Sequence, residues 1–232
     1  GRGRVLVGGR ILVRSGGGFL FLKPDLSAPG RAIRSAAAHA VSPSTLYRDM
    51  SGTSMAAPHI AGAMALLRQQ HPEWSTAELK ALLMNNAANV YSAKNYGEPR
   101  CAPARAGAGR AQINLSTRQE IIAFDADAPE AVSVTFQTRE AAGQEMETRT
   151  VRVLNKGADT VSFSAAVDGL TEIPGIAISL YPASTGPIAP GAYADVTLHL
   201  QADAASMQHS RDPAAQEAFG GYARYWISEV SG

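Results

Sequence analysis

One run of this chain concentrates the residues able to do covalent chemistry: Asp49-Met50-Ser51-Gly52-Thr53-Ser54-Met55-Ala56-Ala57-Pro58-His59-Ile60-Ala61-Gly62. A serine hydroxyl is a poor nucleophile unless an exposed turn holds it beside a base. Gly52-Thr53-Ser54-Met55-Ala56, feeding an alanine-rich helix, supplies such a turn, and the start of that helix can stabilise a developing oxyanion. The plain alternative is a serine that only caps the helix. His59 follows Ser54 by five residues, about 500° of helical rotation, and so does not stack above it. His71 begins a loop, His199 alternates within a strand, and His209 follows a short helical-looking segment without a partner. The first two read as structural or solvated. Asp125 and Asp127 could bind calcium, but a linker between two segments explains them better, and no pair of histidines or carboxylates has convincing metal-ligand spacing. No cofactor or metal is therefore expected. Cys101 is the only cysteine, which excludes an internal disulfide and a cysteine-rich metal site and leaves a loop thiol.

These residues need elements to position them. After Ser54, Ala57, Ala61 and Ala65 share a helix face, with Ile60, Met64 and Leu67 nearby. That pattern predicts a buried central helix, with Pro58 tolerated in its first turns. A second helix starts at the capping box Ser75-Thr76-Ala77-Glu78, carries the stripe Leu79, Leu82 and Leu83, and ends near Asn85-Asn86. Upstream, Lys23-Pro24-Asp25-Leu26-Ser27-Ala28-Pro29-Gly30 is a proline-punctuated loop, and residues 1–21 are irregular and Gly/Arg-rich, with two short runs (5–7 and 11–13) that could be strands. Beyond about residue 128 the period becomes two: 131–136, 149–154, 161–164, 176–180, 193–200 and 222–227 read as strands, with a turn at Asn155-Lys156-Gly157. Six such strands separated by Gly/Pro turns predict an antiparallel β-sandwich lacking its last strand.

Composition bounds the function. A length of 232 residues suits one or two domains, and 45% apolar content is ordinary for a globular chain. Residues 1–115 carry 14 Lys/Arg against 5 Asp/Glu, whereas residues 116–232 carry 7 against 15. That asymmetry suggests two domains: 22–115 and 129–232, with 1–21 irregular and 116–128 a linker. A nucleic-acid-binding half is rejected, because the arginines are scattered and lack interleaved aromatics. The longest nearly uncharged apolar stretch, Ile60 to Leu67, is too short to cross a bilayer. Gly1 to Arg14 has no apolar core and does not read as a signal peptide.

The fourteen-residue run resembles the nucleophile segment of the subtilisin-like serine proteases (subtilases, peptidase family S8), which reads Gly-Thr-Ser-Met-Ala, then Pro-His and Ala-Gly. Lys23 to Gly30 resembles that family's Lys-Pro-Asp-(apolar)-x-Ala-Pro-Gly segment, in the family's order. His71-Pro72-Glu73-Trp74-Ser75 through Leu83 is similar to its following helix, and Gly107-Ala108-Gly109-Arg110 to its closing Gly-x-Gly-x turn. The resemblance implies that Ser54 is a nucleophile attacking the scissile carbonyl of a protein or peptide, with its own backbone N–H as one oxyanion donor. It implies an α/β, parallel-sheet catalytic domain followed by an all-β fibronectin type III-like sandwich, and secretion from the cell. The family's Asp and His precede the serine. Upstream of Ser54 stand only His39, Asp25 and Asp49. His39 lies in Ala-Ala-Ala-His-Ala rather than His-Gly-Thr-His, no Asp-(Ser/Thr)-Gly occurs, and no asparagine precedes Ser54. The expectation is the C-terminal part of a serine endopeptidase, inactive by itself. The alternative is a non-catalytic pseudoenzyme or scaffold that works through its β-sandwich. An α/β-hydrolase is rejected, because only His199 and His209 follow Ser54 in the required order and both fall in the sandwich-like region.

Overall fold

The computed structural model describes residues 4–6, 13–14, 20–21, 23–37, 46–91, 101, 103–136, 143–168, 175–206 and 229–231. In chain order these form β1 (Arg4–Leu6), β2 (Val13–Arg14), β3 (Leu20–Phe21), β4 (Ile33–Ala36) and β5 (Tyr47–Met50). Four helices follow: α1 (Thr53–Gln70), α2 (Thr76–Asn85), α3 (Pro103–Ala106) and α4 (Ile113–Ser116). The remainder is strand: β6 (Ile121–Asp125), β7 (Gln144–Asn155), β8 (Ala166–Asp168), β9 (Ile176–Tyr181), β10 (Tyr193–Asp203) and β11 (Glu229–Ser231). The fold is mixed α/β.

The largest sheet has the order β6-β7-β10-β9, a second has β1-β11-β8, and β2-β3 and β4-β5 are two-stranded ribbons. All these pairings are antiparallel. The single parallel contact among the described residues is the bridge between Ser27 and Arg110. The parallel sheet expected within 22–115 is thus not found among them. The stretch 37–46 between β4 and β5 is shorter than the crossover of about a dozen residues that a parallel pair requires, and the two strands pair antiparallel.

The alternating stretches behave unequally. Residues 149–154, 176–180 and 193–200 lie within β7, β9 and β10, as expected. Residues 131–136 form no named strand: a turn bonds the Ala131 N–H to Ala128 O, and Val132 has φ 67°, which breaks the extended run. Residues 161–164 form no named strand: they meet 184–188 through the bridges Val161–Ile188 and Ser164–Ser184 and through hydrogen bonds between Phe163 and Thr185. The stretch 222–227 lies outside the described residues.

The stretch read from the sequence as a linker, 116–128, contains β6, which occupies 121–125 and pairs with β7 from Ile121–Asn155 to Asp125–Val151. Ile122 is buried, so this stretch belongs to the core. That core joins the two expected units. Leu79, Leu82 and Leu83 of α2 cluster with Ala63 and Leu67 of α1 on one side and with Ile122 and Val132 on the other, while Phe124 and Leu154 pack at the margin. A second cluster of Val134, Phe136, Val151 and Leu198 fills the opposite face of the large sheet.

The helix starts follow their local signals. The Ser75 hydroxyl accepts the Glu78 N–H at 3.2 Å, and the Glu78 carboxylate accepts the Ser75 N–H at 2.6 Å. The predicted buried face of α1 is corrected: Ala57, Ala61 and Ala65 are exposed. The helix packs instead through Ile60, Ala63, Met64 and Leu67, a stripe centred about 120° away at 100° per residue. α2 covers that stripe, whereas small side chains alone offer little apolar area to bury.

One side chain fastens α2 to the sheet. Asn85 is buried, donates to Ala123 O at 3.1 Å and accepts the Ala123 N–H at 2.8 Å. It pairs with the free edge of β6 as a strand would. Replacing Asn85 by Ala leaves both Ala123 groups unpaired in the core. Urea unfolding is expected to show a loss of about 2–4 kcal/mol, and a loss below about 0.5 kcal/mol would show that the pairing does not hold the helix.

Candidate active site

The position of Ser54 traces back to a turn distant in sequence. Gly107 (φ +62°) and Gly109 (φ +122°) have backbone conformations that favour glycine, and a Cβ on Gly107 would stand 2.4 Å from Asp25 O. This close approach lets the Ala108 N–H bond Asp25 O at 2.9 Å, the Ser27 N–H bond Gly109 O at 2.8 Å and the Ala111 N–H bond Ser27 O at 2.9 Å. The Lys23–Gly30 loop is thereby fixed to the 106–111 segment. At its far end the Gly52 N–H donates to Gly30 O at 2.7 Å, and the Ala32 N–H donates to the Ser51 hydroxyl at 2.8 Å. A Cβ on Gly30 would meet Gly52 O at 2.7 Å, so only glycine lets the two segments touch. Gly52 (φ 155°) caps α1 without a side chain, and Ser54 is the second residue of that helix. Its side chain is exposed and shares the solvent face with Ala57, Ala61 and Ala65.

The structure gives the sequence-predicted partners other tasks. Asp25 bonds Lys23 Nζ at 2.6 Å and lies 3.3 Å from Lys80 Nζ, which ties the loop to α2. Burial pulls the Lys80 ammonium down, and the opposing charge of Asp25 only partly restores it. Asp49 stands 3.6 Å from Arg34 across the β4–β5 ribbon. The Nδ1 of His59 lies 2.8 Å from Met55 O, one turn back along α1. His71 stacks on Trp74 at 4.3 Å between ring centroids, and its buried Nε2 has no hydrogen-bond partner. His199 sits mid-sheet opposite Thr148 and Ser179. Cys101 is half-buried, its N–H bonded to Val90 O at 2.7 Å. His39 and His209 lie outside the described residues. Among the described residues, no imidazole or carboxylate is brought to Ser54 by these bonds.

Sequence reasoning missed a cavity of about 200 Å³ against the start of α1, lined by Ile33, Ser35, Arg48, Met50 and Met55 with the Ala36–Ala37 corner. Its only sequence signal was the alternation of Ile33 with Ser35 and of Arg48 with Met50 in strands too short to stand out.

Residues 10–112, a span that includes Ser54, match the family model described as the subtilase family. Among the similar curated proteins is subtilisin-like protease SBT4.3 of Arabidopsis thaliana, 39% identical over 101 residues, covering 37% of this chain and 14% of that protein. Subtilisin-like protease SBT5.3 of the same plant is 34% identical over 113 residues, 44% of this chain and 15% of its own length. The minor extracellular protease Vpr of Bacillus subtilis is 40% identical over 93 residues, 40% of this chain and 11% of its own length. The chain thus spans only 11–15% of the length of these three relatives.

Asp125 and Asp127 remain from the candidate cation ligands. Asp125 is buried, and its Oδ1 accepts the Asp127 N–H at 2.9 Å, closing a turn at the end of β6. Burial pushes its carboxyl above the ordinary carboxylate range, and the charge of Asp127 adds to this against the backbone N–H groups. A folded pKa raised above the unfolded value means stability that is fully present below the unfolded pKa and lost as pH rises through the folded one. Asp125→Asn keeps an acceptor for Asp127 and removes the charge. Thermal melts are expected to show a higher Tm than the parent at pH 7, with the gap closing toward about pH 4; a constant gap across that range would refute a buried, ionising Asp125.

Proposed function

We propose that this chain is part of a subtilisin-like serine endopeptidase, in which Ser54 attacks the scissile carbonyl of a protein or peptide and forms an acyl-enzyme. The observation that carries this reading is the exposed Ser54 at the second position of α1, behind a glycine turn that is seated on Gly30. The subtilase match over 10–112 and the relatives' names support the same class. In this reading the Ser54 N–H, directed out of the first turn of α1, helps to hold the oxyanion, and the positive end of the helix adds to its stabilisation.

The 232 residues by themselves are proposed to be inactive. A general base must lie within hydrogen-bond reach of the nucleophile and needs a carboxylate to orient it. Asp25 and Asp49 are held by lysine and arginine, and His59 is held by its own helix. Residues 129–232 are read as a fibronectin type III-like sandwich, supported by the antiparallel β7-β10-β9 sheet and the cluster that fills one of its faces. A secreted location draws its support from the extracellular protease among the relatives. Among the described residues no helix is long and apolar enough to cross a membrane.

A fluorophosphonate probe tests the reading at its centre. The 232-residue chain is expected to stay unlabelled, whereas a longer chain carrying the upstream coding sequence is expected to label at Ser54 and to lose the label in Ser54→Ala. Labelling of the short chain that Ser54→Ala abolishes would show a base within these residues. A longer chain that contains an Asp and a His in the family's order and still never labels would refute the nucleophile role.

A further inference from the structure

Strands β4 and β5 pair Ile33 with Met50 and Ser35 with Arg48. Directly opposed residues project from the same face of a ribbon, and these four line the cavity together with Met55 at the start of α1. Met55 is the next residue after Ser54, and Met50 lies four before it, so two residues of the cavity wall belong to the segment that carries the proposed nucleophile. Its volume of about 200 Å³ falls below the roughly 300 Å³ at which small-molecule pockets begin, and suits one side chain. The wall is apolar at Ile33, Met50 and Met55. Its polar groups are the Arg48 guanidinium and the Ser35 hydroxyl.

Charge selects the occupant. Residues 31–50 contain Arg31, Arg34 and Arg48 against the single carboxylate of Asp49. Asp49 is taken by Arg34, its cross-strand partner, one position out of step with the cavity-lining pairs. Among the described residues no carboxylate pairs with Arg48. An arginine in the wall of an apolar cavity, within a basic segment, favours a ligand with an apolar stem and a carboxylate end, which the planar guanidinium can grip with two parallel hydrogen bonds.

We propose that this cavity is a specificity site that takes an acidic side chain, Glu or Asp, of a peptide lying across Ser54. The methylenes would contact Ile33, Met50 and Met55, and the carboxylate would pair with Arg48. The ligand class rests on the peptidase reading of Ser54, but the binding itself needs no catalysis. Titrating the 232-residue chain, its methionine methyls labelled with carbon-13, against capped Ala-Glu-Ala and Ala-Gln-Ala reads the site directly. The Glu peptide is expected to move the Met50 and Met55 signals and to bind about tenfold tighter than its Gln isostere. That preference is expected to vanish in Arg48→Ala and to turn toward Ala-Lys-Ala in Arg48→Glu. Arg48 is exposed, and unchanged Met64 and Met84 signals would show that each variant is folded. Equal affinity for the Glu and Gln peptides, no movement of Met50 and Met55 with either, or a Glu preference that survives Arg48→Ala would each overturn the proposal. An Arg48-dependent preference in a protein whose Ser54 never accepts the fluorophosphonate would uphold the cavity and overturn the nucleophile, so the two failures are separable.

Discussion

The carboxamide of Asn85, paired with both backbone groups of Ala123, is the constraint on which the arrangement of this molecule turns. A strand edge presents unpaired donors and acceptors that must be satisfied or left to water. Asn85 satisfies them at β6, and in doing so it sets the distance at which α2 can approach the sheet. Leu79, Leu82 and Leu83 then meet Ile122 and Val132 in one cluster. Lys80, on the same helix, extends to Glu130 O at 3.0 Å and Ala131 O at 3.2 Å, and also to Asp25. A single helix therefore anchors the sheet and the loop that leads to the candidate active site.

That loop transmits position by close backbone contact. From the Gly107–Gly109 turn to Asp25 and Ser27, and from Gly30 to Gly52, each step is a hydrogen bond of 2.7–2.9 Å or an approach that leaves no room for a Cβ. Side chains can adjust their rotamers, but backbone groups pressed together cannot, so little play remains between α2 and the start of α1. At its other end α1 is latched by Arg68, which donates to Trp74 O and to the Thr76 hydroxyl. The candidate nucleophile thus rests on a helix fixed at both ends while its own face stays open to solvent. Preorganisation of this kind is what acyl transfer requires of a serine turn.

The sequence carried the local signals well and the non-local ones poorly. The capping box at Ser75 and the strands at 149–154, 176–180 and 193–200 depend on neighbours along the chain, and all are present. The open face at Ala57, Ala61 and Ala65 and the strand inside the expected linker depend on what packs where, which periodicity does not report. Ile121 to Asp125 has too little alternation to stand out, and Asp125 with Asp127 reads as part of a linker. Of the candidate site, the turn and helix start around Ser54 were legible because Gly52 and the residues after it are adjacent in sequence. The seat on Gly30 and the cavity were not, because they assemble from segments about twenty residues apart in sequence.

The same separation shapes the electrostatics of the joint between helix and sheet. Lys156, in the turn after β7, pairs with Glu78 and lies 4.6 Å from the centroid of the Trp74 ring, which itself stacks on His71. Burial alone would raise the Glu78 carboxyl. The Lys156 ammonium, the Ser75 N–H and the Ser75 hydroxyl outweigh it and hold the group below the ordinary range. A depressed carboxylate contributes stability above its unfolded pKa and loses it as pH falls through the folded value, opposite in sign to Asp125 a few residues past the far side of the same interface. α2 and β6 therefore carry between them one carboxylate that favours folding when charged and one that favours it when neutral. At neutral pH the capping box of α2 and its link to the turn after β7 are at full strength, while the end of β6 bears the cost. The helix that positions the loop beneath Ser54 is thus held most firmly at its start, where Glu78 serves the cap and the sheet at once.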